Sequence, residues 1–332
     1  MKAMAQRHKR LSLFGATPHI VSLLVALTLG QAPLMAFDQP KICDLKTNDH
    51  VMVLGDSTTA GGLNTAGYVR QIEQAIGEQI PQMGLTVSGV GRPGAPSVQM
   101  IEKNWIENDV KPLLAKPKPP TVCIVNMGLN DAVQGEKAVV PYGENLRAVV
   151  RQGRALGLTM ILCTPTLRDG LAKTQAFAEK ARVVAAEEKC PIVDLYAAHA
   201  GHILANTKDG KLAPGTDTTY DGVHLTGAGE TASARAILQA FGLKPVWQKF
   251  QIRNKSNPDF GSYTIEPAQP FYEAGAKITV TAIPAKGKVF SGWAGDMAAY
   301  GTQNPVAVTV DRHMLMSIPK REFRQTKDTT GG

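Results

Sequence analysis

The 332-residue chain contains 36 Lys and Arg residues against 28 Asp and Glu residues, which gives a formal net charge of +8. A chain of this length can bury one sizeable core and a smaller module, and a hydrophobic content of 43% excludes a largely disordered protein. No basic run is interleaved with aromatic residues, so nucleic acid is excluded as an expected partner.

The first 36 residues have the pattern of a secretory signal peptide. The basic stretch MKAMAQRHKR precedes the apolar stretch IVSLLVALTLG, and QAPLMA ends in a small residue. The apolar run from Ile20 to Gly30 is shorter than a bilayer span, which disfavours the alternative of a retained membrane anchor. We therefore predict cleavage after Ala36 and a secreted or periplasmic protein that begins near Phe37. Removal of the four basic residues of the leader lowers the net charge to +4.

Short apolar runs alternate with helix-length segments from about Asn48 to Gly242, within a domain predicted over residues 37–242. The runs typical of buried strands are HVMVLG, LTVSGV, TVCIVNMG, TMILCTP and PIVDLY. Helices are predicted in GYVRQIEQAIGEQI, ENLRAVVRQGRAL, LAKTQAFAEKARVVAAEEK and TGAGETASARAILQAFG. This alternation predicts an α/β fold, a flavodoxin-like three-layer α/β/α arrangement with a parallel five-stranded sheet. In such sheets, ligands bind beyond the carboxyl ends of the strands.

The composition changes after Gly242. The stretch LKPVWQKFQIRNKSNPDFGS is interpreted as a connector with turns, and the short alternating runs that follow are typical of strands: SYTIEPA, AKITVTAIPA, KVFSGWAG, PVAVTV and MLMSIPK. We predict a linker and a small all-β module over residues 243–323, and a disordered tail over residues 324–332. Phe290 and Trp293 are expected in the core of the module, with an exposed sugar-binding aromatic as the alternative.

The four cysteines of the chain allow three full pairings, and the sequence does not choose among them. Export permits disulfides, yet Cys123 and Cys163 fall in apolar runs where a free cysteine acts as a small hydrophobic residue. No CxxC pair is present, and neither a metal nor an organic cofactor is expected.

Three polar motifs follow predicted strands or precede the last predicted helix. GDS contains Ser57, GLND contains Asn130, and DGVH contains Asp221 and His224. Serine is a poor nucleophile without an adjacent base, and histidine can accept its proton near neutral pH. A carboxylate can orient that histidine, and an amide can donate to a developing oxyanion. Together these side chains supply what acyl transfer requires.

Each motif taken alone is also typical of ordinary structure, such as a turn or a strand-end cap. The GxGxxG spacing at residues 89–94 follows the second strand rather than opening the first βα unit, which disfavours a dinucleotide site. Ser57 lacks the second glycine of a GxSxG elbow, which disfavours an α/β-hydrolase. The HxxH formed by His199 and His202 has no supporting Cys or carboxylate cluster, so a pair on a helix surface is expected.

In this order and on this scaffold, the motifs resemble the SGNH hydrolase (GDSL esterase) family over about Val51 to Gly242. The matching positions are Gly55-Asp56-Ser57, Gly91, Gly128-Leu129-Asn130-Asp131 and Asp221-Gly222-Val223-His224. The resemblance implies that Ser57 is the nucleophile, His224 the base and Asp221 its orienting acid. It also implies an oxyanion hole formed by the backbone N–H groups of Ser57 and Gly91 and the side chain of Asn130. Thr58 replaces the leucine of the family's name, and Gly89 stands where many members have Asn.

The C-terminal module resembles bacterial repeats related to the internalin B-repeat. The residues that carry this resemblance are YEAGAKITVTAIPAKGKVFSGWAGD and NPVAVTVD. The resemblance implies display, spacing or weak binding, such as contact with a cell surface or a polysaccharide, and no chemistry.

The combined expectation is an exported serine esterase that works through an acyl-enzyme. O-acetyl esters on carbohydrates are the preferred substrate class, because export and an extracellular-type module both indicate a glycan. Two alternatives stay open: a lipolytic or aryl esterase with the same residues, and a non-catalytic protein that binds surfaces or glycans.

Overall fold

The structure is a computed structural model that describes residues 37–255, 259, 261–317 and 323–325. The predicted leader lies outside the described residues. Within those ranges, none of the helices combines the length and apolar character needed to cross a bilayer.

A parallel sheet of five strands forms the centre of the N-terminal region. Its members are β1 (His50–Gly55), β2 (Thr86–Gly91), β3 (Val122–Asn126), β4 (Thr159–Cys163) and β5 (Ile192–Val193). The strand order is β2-β1-β3-β4-β5, and every neighbouring pair is parallel. Gly55 at the end of β1 pairs with Gly91 of β2 and with Asn126 of β3. The loops after these three strands therefore leave the sheet side by side.

Helices cover both faces of this sheet. They are α1 (Ser57–Gly62), α2 (Tyr68–Gln79), α3 (Val98–Glu102), α4 (Val139–Ala155), α5 (Ala172–Glu187), α6 (Leu195–Ala205) and α7 (Gly227–Ala240). Met52 and Leu54 of β1 pack in one hydrophobic cluster with α4 and α5, whereas Val51 and Val53 pack in another with α2 and α7. This alternation follows from the two-residue period of a strand, and it confirms the predicted three-layer α/β fold.

Helix α6 was not predicted from the sequence, and it corrects the interpretation of the HxxH pair. His199 is fully buried rather than on a helix surface, and its Nε2 lies 2.9 Å from the Ser233 hydroxyl. Burial lowers the pKa of His199 to about 3, so the ring is neutral. His202 is partly buried and its Nε2 lies 3.0 Å from the Thr216 carbonyl oxygen. Both imidazoles are packing groups of the helix.

The C-terminal region is built of short strands, as predicted. They are β8 (Lys249–Phe250), β9 (Ile252–Lys255), β10 (Gly261–Glu266), β11 (Tyr272–Glu273), β12 (Ala276–Pro284), β13 (Lys288–Phe290), β14 (Ala294–Gly295), β15 (Val306–Val310), β16 (Met314–Ser317) and β17 (Phe323–Gln325). The numbers β6 (Thr207–Lys208) and β7 (Lys211–Leu212) belong to a hairpin of the N-terminal region. Trp293 is buried in the core of this module, and Phe290 packs against it with ring centroids 4.9 Å apart. The prediction is confirmed for Trp293, whereas Phe290 is partly buried and packs against that core.

The interpretation of the stretch after Gly242 as a connector with turns is wrong for the part that forms strands β8 and β9. Strand β9 lies within that stretch and pairs in parallel with β16. Its sequence IRNK has only one apolar residue, so the local pattern gave no strand signal, and a partner some 60 residues away along the chain organises it. At the other end of the module, β17 pairs with β13. This strand extends two residues beyond residue 323, into the stretch predicted as a disordered tail.

All four cysteines are free thiols, and three of them are buried. Burial raises the pKa of Cys123 to about 12, as expected for a cysteine that packs as an apolar side chain.

Candidate active site

The sequence GDSTT turns the chain from β1 into α1. Asp56 is the N-cap of α1, and its Oδ1 accepts hydrogen bonds from the backbone N–H and the hydroxyl of Thr58, both at 2.9 Å. Ser57 is the first residue of the helix, so it lies just beyond the carboxyl end of a buried strand. Gly55 is required there, because a Cβ would lie 2.0 Å from the Thr59 hydroxyl oxygen and 2.6 Å from the Asn126 carbonyl oxygen.

The second threonine of the motif fixes the first helix to the second. The Thr59 hydroxyl lies 2.7 Å from the Tyr68 hydroxyl, and both residues are fully buried. The Asn126 side chain donates to the same Tyr68 oxygen at 3.3 Å. Thr58 and Thr59, which follow Ser57, are therefore both held by side-chain hydrogen bonds.

His224 is held by the acid three residues before it. Asp221 Oδ2 lies 2.7 Å from His224 Nδ1, and Asp221 Oδ1 accepts the backbone N–H of His224 at 2.8 Å and of Val223 at 3.1 Å. Burial alone would raise the pKa of Asp221, but the hydrogen bonds from His224 outweigh it and hold this pKa below its usual range. The carboxylate is therefore ionised near neutral pH and fixes the imidazole with Nδ1 toward it. The Tyr220 ring stacks on the imidazole at 5.9 Å between centroids.

Ser57 and His224 line one pocket of about 280 Å³, so the structure brings these two predicted residues together. Among the described residues, neither the Ser57 hydroxyl nor His224 Nε2 is engaged in a hydrogen bond to another group. Both are thus available to each other and to a bound molecule. The remaining lining residues are Thr58, Ala60, Gly61, Asn64, Pro93, Tyr220, Leu225, Glu230, Arg253, Lys255 and Leu315.

Gly91 and Asn130 are not among the residues that line this pocket. Gly91 ends β2 beside Gly55, and a Cβ there would lie 2.0 Å from the Ala60 backbone nitrogen of α1. Only glycine permits this close approach between β2 and the helix that begins with Ser57. Asn130 follows β3, and its amide donates to the Ala95 carbonyl oxygen at 3.0 Å. That bond ties the loop after β3 to the loop after β2.

The neighbouring Asp131 is a structural residue of the same loops. Its carboxylate accepts the Ser97 hydroxyl at 2.6 Å and the Ser97 backbone N–H at 2.9 Å. Asn145 of α4 in turn donates to the Ser97 hydroxyl at 3.0 Å. This network holds the start of α3 against the loop that contains Asn130.

Two buried carboxyl groups next to the site were missed from the sequence. Burial raises the pKa of Asp56 to about 6, despite the hydrogen bonds from Thr58 that favour its ionised form. Burial also raises the pKa of Glu230 to about 8, which the hydrogen bond from the Tyr68 backbone N–H at 2.9 Å and the charge of Arg253 only partly offset. Glu230 was hidden because it lies in the first turn of a helix, a place where an acidic residue needs no further explanation.

The C-terminal module also contributes to the pocket, and this too was missed. Arg253 and Lys255 of β9 and Leu315 of β16 belong to its lining. Arg253 Nη1 donates to the Gly61 carbonyl oxygen at 2.9 Å, and Lys255 Nζ lies 4.0 Å from the centre of the Tyr220 ring. No short motif marks these residues, because their position depends on the long-range pairing of β9 with β16.

A buried carboxylate of the module caps the helix that follows His224. Asp296 accepts the backbone N–H groups of Gly227 at 2.8 Å, Ala228 at 3.1 Å and Leu315 at 2.7 Å. An anion at a helix N-terminus is stabilised by the free N–H groups and by the helix dipole. A Cβ on Gly227 would lie 2.5 Å from Asp296 Oδ2, so glycine is needed for this contact.

A larger cavity of about 570 Å³ lies between α6 and α7 and contains none of the candidate residues. Its lining includes His202, Arg235 and Arg312, but no nucleophile with an adjacent base. The smaller pocket is therefore the one whose side chains can carry out acyl transfer: a serine at a hydrogen-bonded turn and an imidazole oriented by a carboxylate.

Comparison with known families gives two matches. The family described as "GDSL-like Lipase/Acylhydrolase family" matches residues 53–232, which is more than half of the chain. The family described as "Divergent InlB B-repeat domain" matches residues 256–313. Both resemblances predicted from the sequence are thereby confirmed. No curated protein matches this chain.

Solved structures share the fold of the N-terminal region. The acetyl xylan esterase AlAXEase is 21% identical, over 57% of this chain and 98% of its own, with a TM-score of 0.51. The acetylxylan esterase Axe2 from Geobacillus stearothermophilus is 23% identical, over 61% of this chain and 99% of its own, with a TM-score of 0.50. LAE5, an alpha/beta hydrolase enzyme from the metagenome of Lake Arreo, Spain, is 22% identical, over 60% and 97%, with a TM-score of 0.50.

Proposed function

From the membership of this chain in the GDSL-like lipase/acylhydrolase family, which makes it a carboxylic ester hydrolase, we propose that Ser57, His224 and Asp221 form its catalytic triad. One observation carries this proposal: Ser57 and His224 line the same pocket, and the imidazole is bound through Nδ1 to the Asp221 carboxylate at 2.7 Å. That bond directs Nε2 to the role of general base.

In the first half of the reaction, the Ser57 hydroxyl oxygen attacks the ester carbonyl carbon while His224 Nε2 takes the hydroxyl proton. The carbonyl π electrons move onto the oxygen and form a tetrahedral oxyanion. When this intermediate collapses, the bond to the alcohol breaks and the imidazolium gives its proton to the departing alkoxide. The product is a free alcohol and an acyl-Ser57 ester.

In the second half, water replaces the alcohol. His224 Nε2 takes a proton from water as its oxygen attacks the acyl carbon. Collapse of the second tetrahedral intermediate breaks the bond to Ser57, whose oxygen regains the proton, and releases the carboxylic acid. Asp221 stays ionised throughout and stabilises the imidazolium that forms in each half.

Stabilisation of the oxyanion is assigned to the backbone N–H groups of Ser57 and Gly91 and to the Asn130 amide. The side-by-side ends of β1, β2 and β3 support this assignment, because each strand end supplies one donor. In the absence of substrate, the Asn130 amide donates to Ala95, so a bound oxyanion would share or replace that partner.

The proposed substrates are O-acetyl esters on carbohydrates. The pocket volume of about 280 Å³ lies just below the usual range for sites that hold drug-sized ligands, which favours a small acyl group over a long acyl chain. Two of the structures that share the fold are acetyl xylan esterases, which agrees with this substrate class.

Export completes the proposal: the leader is removed near Ala36, and the esterase acts in the periplasm or outside the cell. Amino-terminal sequencing of exported material should find a chain that begins near Phe37. An intact Met1 in a membrane fraction would instead support a retained anchor.

A fluorophosphonate probe and a chain-length series test the function. We expect the probe to label Ser57 covalently, and the label to be absent in Ser57→Ala. Across acetyl, butyryl and octanoyl esters of one alcohol, kcat/KM should be highest for acetyl. A preference for octanoyl would identify a lipolytic esterase, and a folded protein without labelling would support a binding protein.

A further inference from the structure

Two cations of the C-terminal module line the same pocket as the proposed nucleophile. Arg253 and Lys255 are two positions apart in β9, so both side chains project from the same face of the strand. In the part of the chain that the structure describes, neither cation lies within salt-bridge distance of a carboxylate, although the charge of Arg253 lowers the pKa of Glu230. The proposed chemistry uses neither of them, so their place in the lining needs a separate explanation.

The lining has an excess of positive charge. Apart from His224, its acidic and basic side chains are those of Arg253, Lys255 and Glu230. Even with Glu230 ionised the balance is positive, and burial keeps Glu230 largely protonated near neutral pH. Asp221 lies outside this lining, and its oxygens are occupied by His224 and by the Val223 backbone.

Each cation has a contact in the structure, although Lys255 is exposed and Arg253 is only partly buried. Arg253 is fixed by its hydrogen bond to the Gly61 carbonyl oxygen at 2.9 Å, at the end of the helix that begins with Ser57. Lys255 lies over the face of Tyr220, whose other neighbour is the His224 ring. Partial burial lowers the pKa of the Lys255 ammonium group, which is the expected cost of placing a cation there.

Strand β9 is itself fixed to the N-terminal region. It pairs with β16, and Leu315 of β16 shares the Asp296 carboxylate with the first turn of α7. The Gln251 side chain also accepts the Ala66 backbone N–H at 3.3 Å. The position of both cations relative to Ser57 is thus set by several bonds.

We propose that Arg253 and Lys255 bind an anionic group of the substrate, and that the substrate is an acetylated acidic carbohydrate whose anion is a sugar carboxylate. This inference rests on the proposed esterase function and assigns its alcohol portion. A guanidinium group matches the planar geometry of a carboxylate, and Lys255 adds a second positive charge in the same lining. The module is therefore a wall of the active site.

Three esters that differ only at carbon 6 test this proposal. They are an acetylated methyl glucoside, the corresponding glucuronide and the corresponding 6-phosphate. For the full chain at low salt, we expect kcat/KM to be roughly tenfold higher for the glucuronide than for the neutral ester, because a hydrogen bond to a charged group contributes that much. The preference should shrink as salt is added.

Variants at the two cations should change this preference ratio. Lys255→Met and Arg253→Gln should each lower it several-fold, the double variant should bring it close to one, and Lys255→Arg should retain it. Lys277→Met is the matched control, because Lys277 is an exposed lysine of the same module outside the lining and should leave the ratio unchanged. Because the glucuronide and the neutral ester are measured on one preparation, the ratio of their kcat/KM values does not depend on the fraction of folded enzyme.

The outcomes separate this inference from the function on which it rests. A ratio that stays equal in the full chain and the double variant would overturn the anion site while ester hydrolysis remains. A larger preference for the phosphate than for the carboxylate would overturn the assignment of a sugar carboxylate. Absence of hydrolysis of all three esters, or hydrolysis that survives Ser57→Ala, would overturn the proposed function itself.

Discussion

The two sides of the candidate pocket are built in different ways. On one side, Ser57 follows β1, whose side chains Met52 and Leu54 are 1% and 0% exposed, and the neighbouring strands β2 and β3 lead to Gly91 and Asn130. On the other side, Arg253 and Lys255 come from a four-residue strand that is half-buried to exposed. The first side is held by strands of the hydrophobic core, whereas the second is held by a few polar bonds.

This difference separates chemistry from recognition. Groups that must be placed accurately, such as a nucleophile and oxyanion donors, lie where the carboxyl ends of buried strands converge. Groups that select a substrate can lie on a module attached to that scaffold. Substitutions on the sheet side should therefore alter kcat, and substitutions on the module side should alter stability or selectivity.

The largest effect is expected for Ser57→Ala. Loss of the nucleophile removes the covalent route, so hydrolysis should fall by several orders of magnitude, with roughly 10³-fold acceleration over water left from the rest of the site. The unfolding temperature should hardly change, because the Ser57 hydroxyl has no hydrogen bond to other described residues. Ser262→Ala, at an exposed serine of β10, is the control. Wild-type turnover by Ser57→Ala would refute the sheet side as the centre of the chemistry.

The next effect is expected for Asn130→Ala. Loss of one oxyanion donor should lower kcat by roughly 10²–10³, while KM changes little. The variant also loses the hydrogen bond to Ala95, which should cost about 1 kcal/mol of stability. Asn108→Ala is a matched control, because the Asn108 amide also donates to a backbone carbonyl, that of Lys103 at 2.8 Å, and Asn108 does not line the pocket. A destabilised Asn130→Ala with wild-type kcat would make Asn130 a structural residue only.

Much of the sheet side could be predicted from sequence because its signals are local. Each strand is a continuous apolar run, and each motif stands within a few residues of a strand end or a helix start. The alternation with helices predicted a parallel sheet with ligands beyond its carboxyl end, and Ser57 and His224 line one pocket as expected. Helix α6 was not predicted, because glycine and two histidines interrupt its apolar pattern.

The module side could not be predicted in this way. The strand character of Ile252–Lys255 comes from its pairing with Met314–Ser317, which no local pattern reports. The capping role of Asp296 is equally invisible, because its partners Gly227 and Ala228 lie almost 70 residues earlier in the chain. Long-range polar contacts of this kind decide how a module is attached, and they leave no periodic signal.

Asp296→Ala tests how firmly the two sides are joined. It leaves three buried backbone N–H groups without an acceptor, so we expect a loss of about 2–5 kcal/mol in the free energy of unfolding. Activity should also fall, because the freed helix start lies two residues after Leu225 and next to His224. Asp296→Asn keeps one acceptor oxygen and should lose less. Asp311→Ala, at an exposed carboxylate of the same module, should cost less than about 1 kcal/mol. Equal stabilities of the Asp296 and Asp311 variants would contradict the capping role.

The smallest effect is the pH dependence expected from Glu230, which lies where the two sides meet. Burial raises the pKa of this carboxyl to about 8 in the folded protein, whereas the ordinary value applies after unfolding. Between these two values the unfolded state binds fewer protons than the folded state, so the contribution of Glu230 to stability is present at low pH and is lost as the pH rises toward 8.

Glu230→Gln removes that titration while an amide oxygen can still accept the Tyr68 backbone N–H. From pH 6 to pH 8, the stability of the variant relative to the parent should therefore rise by about 1–3 kcal/mol in denaturant titrations. The raised pKa of Asp56 is present in both proteins and cancels in the difference. Glu144→Gln, at an exposed glutamate of α4, is the matched control. If the Glu230→Gln difference is flat, then Glu230 is ionised in the folded protein, and water reaches the junction between the sheet and the module.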